Sequence, residues 1–257
     1  MILQLIDPAS AAVVLLPVLS VFIVSKFSLY GVILVKSTTI QVGIIGTFIG
    51  AMHMLANLAD FSAVGPATAI ALLPMLYALV ISGICTLIEN RVQIIPPEAF
   101  ANVTNLIGVS IFLGSSFLAM LLFDGLGDFF ELSALVFLFV SVGVISVISS
   151  TNLREGSLSF ISKYLPYAGV IGFLMGLVVV LANMQNPESI KSAAVFSYLT
   201  VIYSNIVSVT IKLFCPQFNE SNGNVGWQYS GFVMLLFIFS WLLLVVPLMK
   251  DVLINGA

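Results

Sequence analysis

Charge is what this sequence has least of. Only 7% of its 257 residues are Asp, Glu, Lys or Arg, against about a quarter in an ordinary soluble domain, and that scarcity excludes a soluble globular chain. The few Lys and Arg residues form no cluster, which excludes a nucleic-acid interface. Cysteine is almost absent. Cys85 and Cys215 lie near the ends of apolar runs with no CxxC or Cys/His spacing, so they read as small hydrophobes and no metal site is expected. There is one histidine, His53. No Walker loop, H-E-x-x-H or G-x-S-x-G stands in a workable context, so the chain is not expected to be an enzyme. The N-terminus lacks both a basic n-region and a small-residue cleavage site, so no removable signal peptide is expected.

Apolar sequence fills the space that charge leaves. Hydrophobic residues make up 60% of the chain, and the mean hydropathy is +1.19. The runs are continuous rather than alternating, which favours membrane helices over a β-barrel. The expected fold is all-α: a polytopic helical membrane protein with about eight transmembrane helices and no large cytoplasmic domain. The spans are read at about 9–25, 38–58, 66–88, 104–123, 132–149, 165–184, 192–213 and 228–249. With the N-terminus outside, the inner loops hold Lys26, Lys36, Arg91, Arg154, Lys163 and Lys212, and the outer side holds only Lys191 and Lys250. This six-to-two bias fixes the orientation.

Two of these runs form a hairpin. Gly43, Gly46, Thr47 and Gly50 repeat at helical spacing and give a face that another helix can approach closely. A short polar turn containing Gly65-Pro66 is expected to lead into the apolar run that follows. The pattern recurs. A shift of 126 residues lays Gly43–Asn57 on Gly169–Asn183, with identities at Gly43/Gly169, Gly46/Gly172, Gly50/Gly176 and Asn57/Asn183. Leu73/Leu199, Tyr77/Tyr203 and Ser82/Ser208 coincide as well. The chain therefore reads as two tandem four-helix repeats, 1–126 and 127–257. Each has an even number of spans, so the repeats run parallel, unlike the inverted repeats of many secondary transporters.

The hairpin resembles the pore hairpin of the MotA/TolQ/ExbB family of ion-driven membrane motors, nearest to its MotA branch. The residues that carry the resemblance are Gly43, Gly46, Thr47, Gly50, Gly65, Pro66, Ala69, Ala71, Leu72, Leu73 and Tyr77. The resemblance implies a channel-wall subunit of a proton- or sodium-motive-force-driven complex in the bacterial inner membrane, with a periplasmic N-terminus. It implies a homo-oligomer around a MotB-, TolR- or ExbD-like single-span partner whose membrane Asp carries the ion. No Asp or Glu of this chain is expected at mid-span, as that division of labour requires. No cofactor is implied beyond the transported ion. MotA proteins carry a large cytoplasmic loop that engages the flagellar rotor; here the first inner loop is read as about a dozen residues.

Within that frame Thr47 is the first candidate for the ion path, because a hydroxyl offers a lone pair to a dehydrated ion or to a carboxylic acid. Gly43, Gly46, Gly50, Pro74 and Tyr77 complete the first wall. Thr200 and Ser204 stand on a polar stripe with Ser197 and Ser208 that serves either as helix–helix glue or as a stretch of path. At the family's threonine positions Pro74 replaces the first in one half, and Phe173 stands where the other half has Thr47. Pro166 is the candidate hinge and His53 a candidate proton relay. Two other readings remain: a stand-alone small-solute transporter with a site between the halves, and a non-conducting structural subunit.

Overall fold

The computed structural model describes residues 7–56, 61–92, 102–123, 129–150, 157–183 and 187–216, with 229, 231–238 and 240. Seven helices are bounded among them, α1 (Pro8–Val24), α2 (Tyr30–Ala56), α3 (Phe61–Glu89), α4 (Asn102–Phe123), α5 (Leu132–Ser150), α6 (Ser157–Ala182) and α7 (Pro187–Phe214), and residues 231–238 are helical as well. No strand occurs among the described residues. Six helices, α2 to α7, are long and apolar enough to cross a membrane, and α1 is a shorter apolar helix of 17 residues. The chain is a helical, multi-pass membrane protein. Residues 1–221 form one compact unit and 222–257 a second. Most of the eighth expected span, 228–249, lies outside the described residues.

Local chemistry sets the helix starts. The Asp7 carboxylate accepts from the Ser10 amide at 2.6 Å, and Pro8 occupies the first helical position, where its missing N–H costs nothing. Between α1 and α2 the chain turns within residues 25–29, with Lys26 and Phe27 both at positive φ, 51° and 55°. This left-handed pair makes the short reversal possible, and the Phe27 ring stacks on Phe22.

Several expected boundaries move outward. α2 begins at Tyr30, α6 at Ser157, and α7 runs on to Phe214, so Lys36, Lys163 and Lys212 stand in helices rather than loops. The dozen-residue loop contracts to five, 25–29. The physical reason is that hydropathy marks where lipid ends, whereas a helix continues as long as its own hydrogen bonds do. Gly65-Pro66, expected as a turn, lies inside α3. Pro66 is the sixth residue of that helix, past its first turn, so it leaves the carbonyl four residues earlier without its helical donor.

The main contacts are two antiparallel pairs, α2 with α3 and α6 with α7, joined mainly by α2 against α7. α2 is the most enclosed: 83% of its membrane-length window is buried, against 17% for α5. Both pairs close through glycine. A Cβ on Gly50 would lie 2.8 Å from the Ala71 backbone, and one on Gly46 would lie 2.7 Å from Pro74. Gly169 and Gly172 face Ser204 and Thr200 in the same manner, and Gly176 faces Ser197. Phe48 of α2, Phe173 of α6 and Tyr198 of α7 meet ring to ring where the pairs join, with centroids 5.3–6.1 Å apart.

Glycine should therefore behave oppositely on the two faces of the hairpin. Gly83 of α3 has open space around it, so Gly83→Ala should stabilise by up to about 1 kcal/mol through helix propensity. Gly50→Ala should instead destabilise by about 1–3 kcal/mol through overpacking. Thermal unfolding in detergent, followed by circular dichroism, reads both signs.

Candidate functional site

The α2/α3 seam contains the first group of expected site residues. Gly43, Gly46 and Gly50 lie against Ala78, Pro74 and Ala71, and Pro74 is buried. Lacking an N–H, Pro74 leaves the Ile70 carbonyl without its helical donor; Ser10 of α1 approaches that oxygen at 3.5 Å. Thr47, next to Gly46, is fully buried, and its hydroxyl has no hydrogen-bond partner. A buried hydroxyl left unbonded is costly. Thr39, two turns earlier on α2, is likewise buried and unbonded. At one end the seam is closed by an ion pair, Lys36 Nζ to Glu89 Oε2 at 2.7 Å, both side chains largely buried. Tyr77, toward the opposite end, accepts through its hydroxyl from the Asp7 amide at 3.2 Å and so ties α3 to the start of α1. His53 is half-buried in the last turn of α2.

The α6/α7 seam contains the second group. Ser197, Thr200 and Ser204 are buried and donate to carbonyls of their own helix: Ala193, Ser197 and Val201, at 2.8, 2.8 and 3.0 Å. Their polarity is spent mainly within α7, and Thr200 also reaches the Gly169 carbonyl of α6 at 3.4 Å. Phe173, at the position matching Thr47, fills the second seam with an aromatic ring. Tyr203 hydrogen-bonds the Phe129 carbonyl, next to the start of α5, as Tyr77 bonds the start of α1.

Pro166 stands well inside α6, nine residues after its first. It deprives the Ser162 carbonyl of its helical donor. Ser208 supplies a replacement, its hydroxyl 2.5 Å from that oxygen. Ser208 in turn accepts from Gln41 Nε2 at 3.0 Å, and Gln41 Oε1 accepts from Lys212 Nζ at 2.7 Å. Lys212 also donates to the Ser37 carbonyl at 3.3 Å. Among the described residues no carboxylate pairs with Lys212.

Gln41 and Lys212 were not singled out in the sequence. Lys212 is counted there only as a charge on the inner side, at the end of the 192–213 span, and Gln41 stands within an apolar run. The signal that could have found them is the carbonyl four residues before Pro166, which needs a donor, and the four-residue spacing of Ser208 and Lys212.

Comparison with known proteins adds nothing to this geometry. No family model, curated protein or solved structure matches the chain.

The two threonines should respond in opposite directions to the same change. Thr47→Val removes a hydroxyl that bonds nothing and should leave stability unchanged or raise it by about 1 kcal/mol. Thr200→Val removes a bonded hydroxyl and should lower it by about 0.5–1.5 kcal/mol. Paired unfolding midpoints in one detergent decide.

Proposed function

We propose that this chain is a wall subunit of an ion-motive-force-driven complex of the bacterial inner membrane, related to the MotA/TolQ/ExbB proteins. Several copies surround a single-span partner that carries a membrane Asp, and the transported ion is a proton or sodium. The observation that carries the reading is the Thr47 hydroxyl, buried and unbonded one residue after Gly46, the glycine that packs on Pro74. A polar group kept in that state at a stability cost has the character of a site awaiting a ligand. The only carboxylate among the described residues of the long helices outside a first turn is Glu89, in the last turn of α3 and neutralised by Lys36. An ion-carrying acid from another chain fits that division.

The tandem duplication is part of the same reading. Contacts recur at the 126-residue offset: Gly46–Pro74 with Gly172–Thr200, and Gly50–Ala71 with Gly176–Ser197. Ser82 to the Lys36 carbonyl matches Ser208 to the Ser162 carbonyl. In the second half a ring occupies the level of Thr47, so the first half alone lines the path and the second buttresses it. The N-terminus faces the periplasm, which places Lys36 and Lys212 at the cytoplasmic end.

One observation favours the stand-alone transporter instead. Thr47 is covered entirely by its own chain, so a ligand could reach it without a partner once α2 and α3 part.

The two readings separate in proteoliposomes. The chain purified alone should carry no ion current under an imposed proton or sodium gradient, and current should appear when a co-purifying single-span protein is added. Thr47→Val should then abolish at least nine-tenths of that current (a tenfold loss corresponds to about 1.4 kcal/mol), and Thr47→Ser should retain it. Full transport by the isolated chain would replace the wall-subunit reading with the transporter.

A further inference from the structure

The polar chain from Lys212 to Ser162 has a direction, and both of its ends impose it. Lys212 can only donate, and the Ser162 carbonyl can only accept. Between them Gln41 must turn its oxygen to Lys212 and its NH2 to Ser208, and Ser208 must send its one proton to Ser162. The Lys212–Gln41 and Gln41–Ser208 bonds lie within ordinary hydrogen-bond range and the Ser208–Ser162 bond at its short limit, and Gln41, Ser208 and Ser162 are buried at 5%, 0% and 7% exposure. The path crosses three helices: it leaves α7, passes through α2, returns to α7 and ends on α6 at the carbonyl that Pro166 leaves without its helical donor.

We propose that Lys212, Gln41 and Ser208 form a one-way hydrogen-bond relay that latches the proline break of α6, with the Gln41 amide as its switch. Ser208 has a single proton and two candidate acceptors. While Lys212 holds the Gln41 oxygen, only nitrogen faces Ser208, and the proton goes to Ser162. If the hold is lost, the amide rotates and presents oxygen to Ser208. The proton then moves to Gln41, the Ser162 carbonyl loses its side-chain donor, and the α6 backbone loosens around Pro166. A change at the α2–α7 contact is thereby felt in α6, which Lys212 does not bond. The relay lies wholly within this chain and stands whether or not the wall-subunit reading holds.

Gln41→Glu is the decisive variant. The introduced carboxylate pairs with Lys212, so a side chain that mattered only for packing or charge would leave α6 undisturbed. A carboxylate is also an acceptor on both oxygens, so it takes the Ser208 proton and releases Ser162. Hydrogen–deuterium exchange of the chain in micelles, read by mass spectrometry on peptides within 157–176, measures the opening. Ser208→Ala, Lys212→Met and Gln41→Glu should each speed exchange there about tenfold, with peptides from 43–50 unchanged. Lys212→Arg, still donor-only, should match the parent. Should Gln41→Glu unfold globally, the contrast between Lys212→Met and Lys212→Arg carries the test. Parental exchange in Gln41→Glu or in Ser208→Ala, or equal acceleration by Lys212→Met and Lys212→Arg, would overturn the relay.

Discussion

A backbone carbonyl inside a bilayer has no water to turn to, and a proline in a membrane helix leaves one such carbonyl without its helical donor. Much of this bundle's polar chemistry is arranged around that constraint. Pro74 exposes the Ile70 oxygen and Pro166 the Ser162 oxygen; in each case a serine from a different helix approaches, Ser10 at 3.5 Å and Ser208 at 2.5 Å. The two solutions differ in tightness. The α6 break is closed by a short bond that is itself backed by Gln41 and Lys212, whereas the α3 break has one long contact. The first hairpin, whose Gly46 packs on Pro74, is also the one that contains the unbonded Thr47.

The glycine seams supply the complementary constraint. Small residues at intervals of three and four allow helix axes to approach until backbone meets side chain, which is how membrane helices gain contact without a hydrophobic drive between them. The two seams share that mechanism and differ in what faces the glycine. In α3 it is Pro74 and Ala71; in α7 it is Thr200 and Ser197. The Ser197 and Thr200 hydroxyls donate within their own helix, Thr200 also to the Gly169 carbonyl, and Phe173 stands at the position matching Thr47. One seam is thus packed and satisfied, and the other retains a hydroxyl without a partner.

Much of the architecture was legible in the sequence because it depends on period and hydropathy. Helical class, the approximate spans and the glycine faces all follow from residues such as Gly43, Gly46 and Gly50. Boundaries were less legible: Lys36 and Lys212 look like loop residues when hydropathy alone is read, yet a long side chain on a helix can reach an acceptor and keep the helix going. Gly65-Pro66 looks like a turn because those residues favour turns, yet α3 runs through them at the cost of one helical hydrogen bond. Pairings across helices, such as Lys212 with Gln41, depend on which faces meet. Only the folded arrangement of α2 against α7 settles that. The candidate wall residues Thr47 and Thr200 were both visible as polar groups in apolar runs; their opposite hydrogen-bonding states were not.

The Lys36–Glu89 pair also fixes how the hairpin meets an electric field. Cation and anion lie 2.7 Å apart, so moving α2 and α3 together transfers no net charge across the membrane. Lys212 has no such carboxylate partner among the described residues. A full transit of one charge is worth about 2.3 kcal/mol per 100 mV, and even a fractional displacement of the α7 end exchanges part of that with the membrane voltage. The ion pair between α2 and α3 is electrically silent when its two helices move together, whereas the Lys212 charge at the contact of α2 and α7 exchanges work with the voltage.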